Sequence, residues 1–377
     1  MNKVKVPGKF PRDFSIGAPM LSTLSRLFLK DYPALDPDTF VLWEPCTKSH
    51  AEIVPGYASY LLSLGYKVLV LVTPTHLSGG LFSRFRHPQL SFSNLSQRQI
   101  RKFMRRADIA AAAGVMISTA GKLPETHTND IDLDAVFGVG RRPRRLLLVE
   151  HDIRRQTESG DRDSNPITLR AFPEADFKTV VVNPHDFGRT KLHEKTPGKT
   201  YFVMVGASRS KRRNQSIVYE AFSRLVADGT KNFELRLIGK PGKEEVPGQL
   251  APYVKVLGRL GFSRLYEEIE NADFLITAFQ AENPEHSPYR ESKTSGSFQL
   301  CYGFSKPCIV QREFAVGTAL SASNSLFYGA DEEMAVAISR AIHMPETDYA
   351  LMRDTMSENA KELALQSLAN LKALIDA

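Results

Sequence analysis

Tyr201–Phe222 reads YFVMVGASRSKRRNQSIVYEAF, and the order of residue types in it decides the fold. Phe202–Gly206 is a continuous apolar run without polar alternation, the pattern of a parallel strand covered on both faces. Gly206 permits a tight turn, a basic loop follows with Arg209, Lys211, Arg212 and Arg213, and the spacing predicts an amphipathic helix over Gln215–Ala227. Strand, glycine turn and helix in that order gather backbone N–H groups and cationic side chains at one point, which suits a phosphate. Arg209 and Arg213 are the candidates, because a guanidinium can grip two phosphate oxygens at once; a solvated basic loop is the competing reading.

The same alternation extends in both directions. Apolar runs at Phe40–Glu44, Val68–Val72, Val115–Ser118, Leu146–Val149 and Val180–Asn183 precede the quoted stretch, and Leu235–Gly239, Val254–Gly258, Phe274–Thr277 and Cys308–Val310 follow it. Helical periodicity lies between them, at His50–Leu64, Ser96–Arg106, Ser263–Asn271, Glu332–Ile342 and Asp348–Ile375. Alternating strand and helix predicts an α/β protein with parallel sheets and right-handed crossovers. The alternation breaks once, at the polar segment GRTKLHEKTPGKT (Gly188–Thr200). Read as a linker, it divides the chain into a first domain at 1–190, a linker at 191–200 and a second domain at 201–357, with the last helix (358–377) returning to the first domain; a long surface loop is the alternative.

Composition narrows the function classes. The 377 residues are ample for two cores, and 42% apolar with 24% charged residues is the profile of an ordinary folded chain. A net charge of +7 suits a phosphorylated ligand, an anionic membrane face or nucleic acid equally. Aromatic residues do not interleave with the basic ones as single-strand binding requires, so nucleic acid is not expected as a partner. Three scattered cysteines make neither a disulfide framework nor a zinc site; a reducing cytoplasm and no metal are expected. No apolar run reaches the roughly 20 residues that cross a bilayer, which leaves peripheral contact. The clusters Arg101-Lys102, Arg105-Arg106 and Arg141-Arg142-Pro143-Arg144-Arg145 could meet lipid headgroups or simply be solvated.

Chemistry concentrates in Ala272–Val310, ADFLITAFQAENPEHSPYRESKTSGSFQLCYGFSKPCIV. A strand leads into a polar loop with Glu282, Glu285, His286, Arg290, Glu291 and Lys293, and Thr294, Ser295, Gly296 and Ser297 then open a helix. Small hydroxyl residues and glycine at a helix start leave its first N–H groups open to an anion, or cap the helix themselves. In the first half, His50 and Glu52 stand where a polar loop enters a helix, and His151-Asp152 are released at the end of a buried strand. Each could face a ligand; a capping role for the first pair and a structural imidazole for His151 are the alternatives.

These residues together resemble the retaining GT-B glycosyltransferases, above all their large fourth family (glycosyl transferases group 1). The likeness runs over nearly all of the second half: Val205-Gly206, the basic loop and Ala221-Phe222-Ser223-Arg224-Leu225 match the opening of that family's donor domain. It implies two Rossmann-like domains with parallel sheets facing across a cleft, and transfer of a sugar from a nucleotide-sugar donor, such as a UDP-sugar, to a saccharide or lipid-linked acceptor. Surface polysaccharide or glycoconjugate synthesis in bacteria is the implied setting, with retention and without a cofactor or metal.

The resemblance also implies roles. The family's paired basic residues fall on Arg209 and Arg213, in a loop one residue longer than usual. Its first Glu, nine residues after the strand-opening Asp273, falls on Glu282. His151 and Asp152 match a His-Asp pair across the cleft, His50 and Glu52 fall on the acceptor side, and Asn183-Pro184 matches the hinge. The family's second Glu, which binds ribose, has no counterpart: Arg290 stands at its distance, Glu291 one further, and alignment through Pro307 gives Leu300. Glu285, Glu291, Lys293 and Thr294–Ser297 complete the expected donor site with Gly206. A nucleotide-sugar 2-epimerase and a non-catalytic binding partner remain as alternative functions.

Overall fold

The computed structural model describes residues 32–46, 50–93, 95–122, 132–159, 166–206, 213–242, 244–329 and 331–377. The chain divides into two compact units, Met1–Ala34 and Leu35–Ala377, and every element below lies in the second. Among the described residues, thirteen strands form two sheets. The first contains β1 (Thr39–Trp43), β2 (Lys67–Leu71), β3 (Leu90–Ser93), β4 (Gly114–Ile117), β5 (Leu146–Glu150), β6 (Ile167–Thr168) and β7 (Val180–Val181). The second contains β8 (Thr200–Val205), β9 (Phe233–Ile238), β10 (Val254–Gly258), β11 (Phe274–Ile276), β12 (Cys308–Gln311) and β13 (Ser325–Tyr328).

Both sheets are parallel and share one topology. The orders are β3-β2-β1-β4-β5-β6-β7 and β10-β9-β8-β11-β12-β13, so each chain direction reverses beside its first strand. That reversal, between β1 and β4 and again between β8 and β11, opens a crevice at the carboxyl ends of the strands, where open α/β sheets take ligands. At the opposite, amino ends of these strands β1 and β4 approach closely: a Cβ on Gly114 would lie 2.5 Å from the Phe40 ring of the neighbouring strand.

Three strands lie outside the apolar runs. β3 (LSFS) is an edge strand with three of its four residues at least partly exposed, β6 has two residues, and β13 (SLFY) closes the opposite edge of its sheet. Edge and short strands need little apolar character, so the pattern does not reveal them. The helices fall close to expectation: Val54–Ser63 behind a short 3₁₀ turn, Gln97–Met104 with a Ser96 capping box, Gln215–Ala227, Phe262–Glu270, Gly296–Gly303 and Asp331–His343.

The last helix, Glu346–Asp376, serves both sheets. Tyr349 is buried in the core under β8 and β11, while Leu371 and Ile375 are buried in the core of the first sheet. Residues 182–199 form neither helix nor strand, yet they are tied down. Buried Asp273 accepts from His193 Nε2 at 3.0 Å and from the Tyr201 N–H at 2.6 Å, and Lys195 Nζ donates to the Ile342 and Met344 carbonyls.

Candidate functional site

In the first sheet, chemistry gathers where β1, β4 and β5 end. Glu44 follows β1 directly and is fully buried; Ser118 Oγ and Thr119 Oγ1, just past β4, donate to its Oε2 at 2.8 and 2.7 Å. Burial pushes this carboxyl up to about 8, against the pull of those hydroxyls and of the Cys46 N–H. His151, just past β5, has Nε2 2.9 Å from the Ser118 carbonyl. A carbonyl only accepts, so this nitrogen carries the proton. Thr119 Oγ1 lies 3.4 Å from the same nitrogen, and the His50 ring stands edge-on at 4.4 Å.

In the second sheet, Gly206 ends β8 with φ 133°, and a Cβ there would stand 3.5 Å from the Arg213 guanidinium. Arg213 is buried, stacks over the Phe279 ring at 4.4 Å, and donates from Nη2 to Ser295 Oγ and Ser297 Oγ, each at 3.2 Å. Ser295 caps the Gly296–Gly303 helix by accepting from the Ser297 N–H at 3.3 Å. A guanidinium, two hydroxyls and a helix N-terminus thus converge at the crevice between β8 and β11, a donor set that fits an anion. Thr294 Oγ1 is buried there with no hydrogen-bond partner among the described residues.

The two halves are stitched together beside this point. The Asp152–Lys293 bridge is antiparallel: the Ile153 N–H donates to the Ser292 carbonyl at 3.0 Å and the Thr294 N–H to the His151 carbonyl at 3.2 Å. Asp152 itself lies between Arg154, whose Nη2 is 2.5 Å away, and Lys293 Nζ at 3.3 Å. Burial works against its charge, but these cations hold its carboxyl below the ordinary value. Glu52 crosses the same seam. Its Oε1 stands 3.0 Å from where a Cβ on Gly296 would be, so the carboxylate sits over the helix start itself. Burial pushes the Glu52 carboxyl above its ordinary value, although the His151 and His76 imidazoles pull it down.

The remaining expected residues are dispersed. Glu282 is exposed, and Gln311 Nε2 on β12 donates to both its oxygens at 3.4 Å. Glu285 is exposed on the turn capped by Asn283, and Glu291 is exposed and paired with Arg290 at 2.9 Å. Leu300, one of the three positions competing for the ribose contact, is buried in the core and offers no polar atom. Arg209, with Lys211 and Arg212, lies outside the described residues.

Besides Glu44 and its partners Ser118 and Thr119, two further buried polar side chains escaped the sequence reading. Gln299, on the face of the Gly296–Gly303 helix one turn beyond Gly296, is fully buried, and neither amide atom has a partner among the described residues. Arg170, two residues past β6, donates to the carbonyls of Tyr289, Arg290, Lys293 and Val316 at 2.7–3.2 Å. Burial pulls it down to about 10, so it remains charged at neutral pH and binds the second half through backbone oxygens alone. Its only sequence signal was a charged residue closing a short apolar run. Among the described residues no group of three or more His, Cys, Asp or Glu is placed to hold a metal ion, and no helix is long and apolar enough to cross a membrane.

No family model matches the chain, and no curated protein matches it by sequence. Solved structures do. A glycosyltransferase from Rickettsia africae ESF-5 is 11% identical with a TM-score of 0.58, over 90% of this chain and 98% of that one. AviGT4, a glycosyltransferase involved in avilamycin A biosynthesis, is 14% identical with a TM-score of 0.54, over 90% and 99%. A UDP-forming α,α-trehalose-phosphate synthase from Burkholderia vietnamiensis is 8% identical with a TM-score of 0.52, over 91% and 100%. With two all-parallel sheets of like topology, the chain has the GT-B fold.

Proposed function

We propose that the chain is a glycosyltransferase that moves a sugar from a nucleotide-sugar donor to a saccharide or lipid-linked acceptor. The observation that carries this reading is the convergence of Arg213, Ser295, Ser297 and the Gly296–Gly303 helix start at the crevice of the second sheet. As the sugar leaves, charge develops on the nucleotide diphosphate, and a buried guanidinium with a helix N-terminus stabilises it without needing a metal. Arg209 completes the grip, Glu282 orients the donor sugar, and His151, held by the Ser118 carbonyl, faces the sugar from the first half. Glu285, Glu291 and Lys293 border the donor, while His50 and Glu52 come from the acceptor side, Glu52 reaching as far as Gly296. We assign retention of anomeric configuration, work in the cytoplasm, and a place in bacterial surface polysaccharide or glycoconjugate synthesis.

One observation favours a second reading, a non-catalytic partner that binds without turnover. Glu52 holds its carboxylate over Gly296, where the diphosphate would arrive, and Leu300 leaves the ribose position apolar. A nucleotide-sugar 2-epimerase acting on donor alone is the remaining alternative. One experiment separates the three. The purified chain is melted against a panel of nucleotide sugars and then incubated with each stabilising donor, with and without candidate acceptors. A donor at about 100 times its dissociation constant stabilises by roughly 2.7 kcal/mol. Nucleotide release that requires acceptor supports transfer, epimer formation supports the second enzyme, and stabilisation without turnover supports the partner. No stabilisation by any nucleotide sugar overturns all three.

A further inference from the structure

Arg170 spends every N–H group it has on backbone oxygens. Nε donates to the Lys293 carbonyl at 3.2 Å, Nη1 to those of Ala171 and Val316 at 3.2 and 2.9 Å, and Nη2 to those of Tyr289 and Arg290 at 3.2 and 2.7 Å. The five N–H groups of a guanidinium lie in one fixed plane, so these carbonyls are set around a single rigid fork. The side chain is buried, stands over the Phe172 ring at 4.2 Å, and pairs with no carboxylate among the described residues. A neighbouring contact stops the Val316 side of the fork from shifting alone. The Ala171 N–H donates to the Gly317 carbonyl at 3.1 Å, and a Cβ on Gly317, at φ 70°, would lie 2.3 Å from the Ala171 oxygen.

Three of the five carbonyls, those of Tyr289, Arg290 and Lys293, belong to a strap at 288–294 that leads directly into the Ser295 cap. The strap closes on itself where the Ser292 and Lys293 N–H groups donate to the Pro288 carbonyl at 2.9 and 2.6 Å. At one end it carries the Tyr289 ring, which packs on the Phe279 ring at 4.7 Å. The Arg213 guanidinium stands over both rings, 4.4 Å from Phe279 and 5.8 Å from Tyr289. At the other end the strap delivers Ser295, whose hydroxyl accepts from Arg213 Nη2. One residue of the first half thus fixes the backbone that supplies both a ring wall and a hydroxyl to the Arg213 seat.

We infer, on the reading of this crevice as the donor site, that Arg170 is a positioning residue for the donor diphosphate. It holds the strap so that Tyr289 and Ser295 aim the Arg213 guanidinium, and the grip of the second half thereby depends on a side chain of the first. Arg170 has all its N–H groups on backbone oxygens, so it acts through Arg213 and not on the ligand.

Hydrogen exchange of the full chain without ligand reads the strap directly. In Arg170→Ala the Ser292, Lys293 and Thr294 amides, all hydrogen-bonded in the wild type, should exchange about tenfold faster or more, while those of β8 and β9 keep wild-type rates. Arg170→Lys keeps the charge without the fork and should loosen the same amides less. Melting against UDP, GDP, ADP, dTDP and inorganic pyrophosphate then reads the seat. The Kd of whichever diphosphate stabilises the wild type should rise about tenfold in Arg170→Ala, with Arg170→Lys between. In a transfer assay the donor KM should rise while the acceptor KM stays at its wild-type value. Unchanged strap exchange in both variants overturns the proposal, and so does faster exchange throughout both sheets, which would make Arg170 a general support. A loosened strap with wild-type diphosphate affinity overturns it as well, and leaves the donor reading standing. If no diphosphate stabilises even the wild type, the donor reading falls and the proposal falls with it.

Discussion

Glu44 directly follows β1, and the Arg213 guanidinium lies against the Gly206 end of β8, so each half buries an ionisable side chain at its crevice. Glu44 is pushed from 4.5 to about 8, so the folded chain keeps a proton there that the unfolded chain releases. Its contribution to stability is therefore fully present below pH 4.5 and is lost as pH rises through about 8. Glu44→Gln, which keeps the shape and a donor, should flatten the fall in stability over this range, as read from urea denaturation at a series of pH values. Arg213 cannot shed its charge and is held by Ser295, Ser297 and the Phe279 ring instead. Arg213→Lys keeps the charge but loses the planar contacts, and Arg213→Ala loses both. In transfer assays Arg213→Ala should lower kcat/KM by about 10²–10³, as loss of one donor to a developing anion does elsewhere, with Arg213→Lys between it and wild type. Equal activity of all three would remove Arg213 from the mechanism.

At the level of elements, the Gly296–Gly303 helix has a glycine at each end for a different reason. Gly296 makes room for the Glu52 carboxylate, which can swing aside. Gly303 has no such latitude, since a Cβ there would lie 2.2 Å from the His185 carbonyl oxygen and 2.3 Å from the Phe187 ring. Gly303→Ala should therefore destabilise by about 1–3 kcal/mol, the range for overpacking, while Gly296→Ala costs less; chemical denaturation of both variants checks the order. Strand and helix were legible here because their periods differ, and the helix over Gln215–Ala227 falls where its spacing put it. β3, β6 and β13 were not, because an edge or two-residue strand needs no continuous apolar run. Within the candidate site, the start of a helix at the hydroxyl and glycine residues was readable from residue types alone. That Arg213 reaches both serines was not, since eighty-two residues separate it from Ser295.

For the molecule as a whole, the seam between the halves matters more than either core taken alone. Arg84 forms a two-pronged ion pair with Glu270 and lies 5.3 Å over the Tyr266 ring, with the pair 16% and 10% exposed. Arg84→Ala leaves Glu270 enclosed without its cation and should cost about 3–5 kcal/mol. Arg84→Met with Glu270→Met should recover much of that loss in thermal melts; if the double variant is no more stable than the single one, the pair is not what holds this part of the seam.

Local order and residue type were enough to determine two parallel-sheet halves with a polar segment between them, because strand and helix preferences act over a few neighbouring residues. Tertiary structure alone decided that Glu52 lies over Gly296, that Arg170 holds the 289–293 backbone, that Cys301 and Cys308 stand side by side, and that two arginine clusters form one face. None of these meetings carries a local signal in the sequence; packing within a half sets those of the cysteines and of the arginine clusters, and the packing of one half on the other, with the last helix running through both cores, sets those of Glu52 and Arg170.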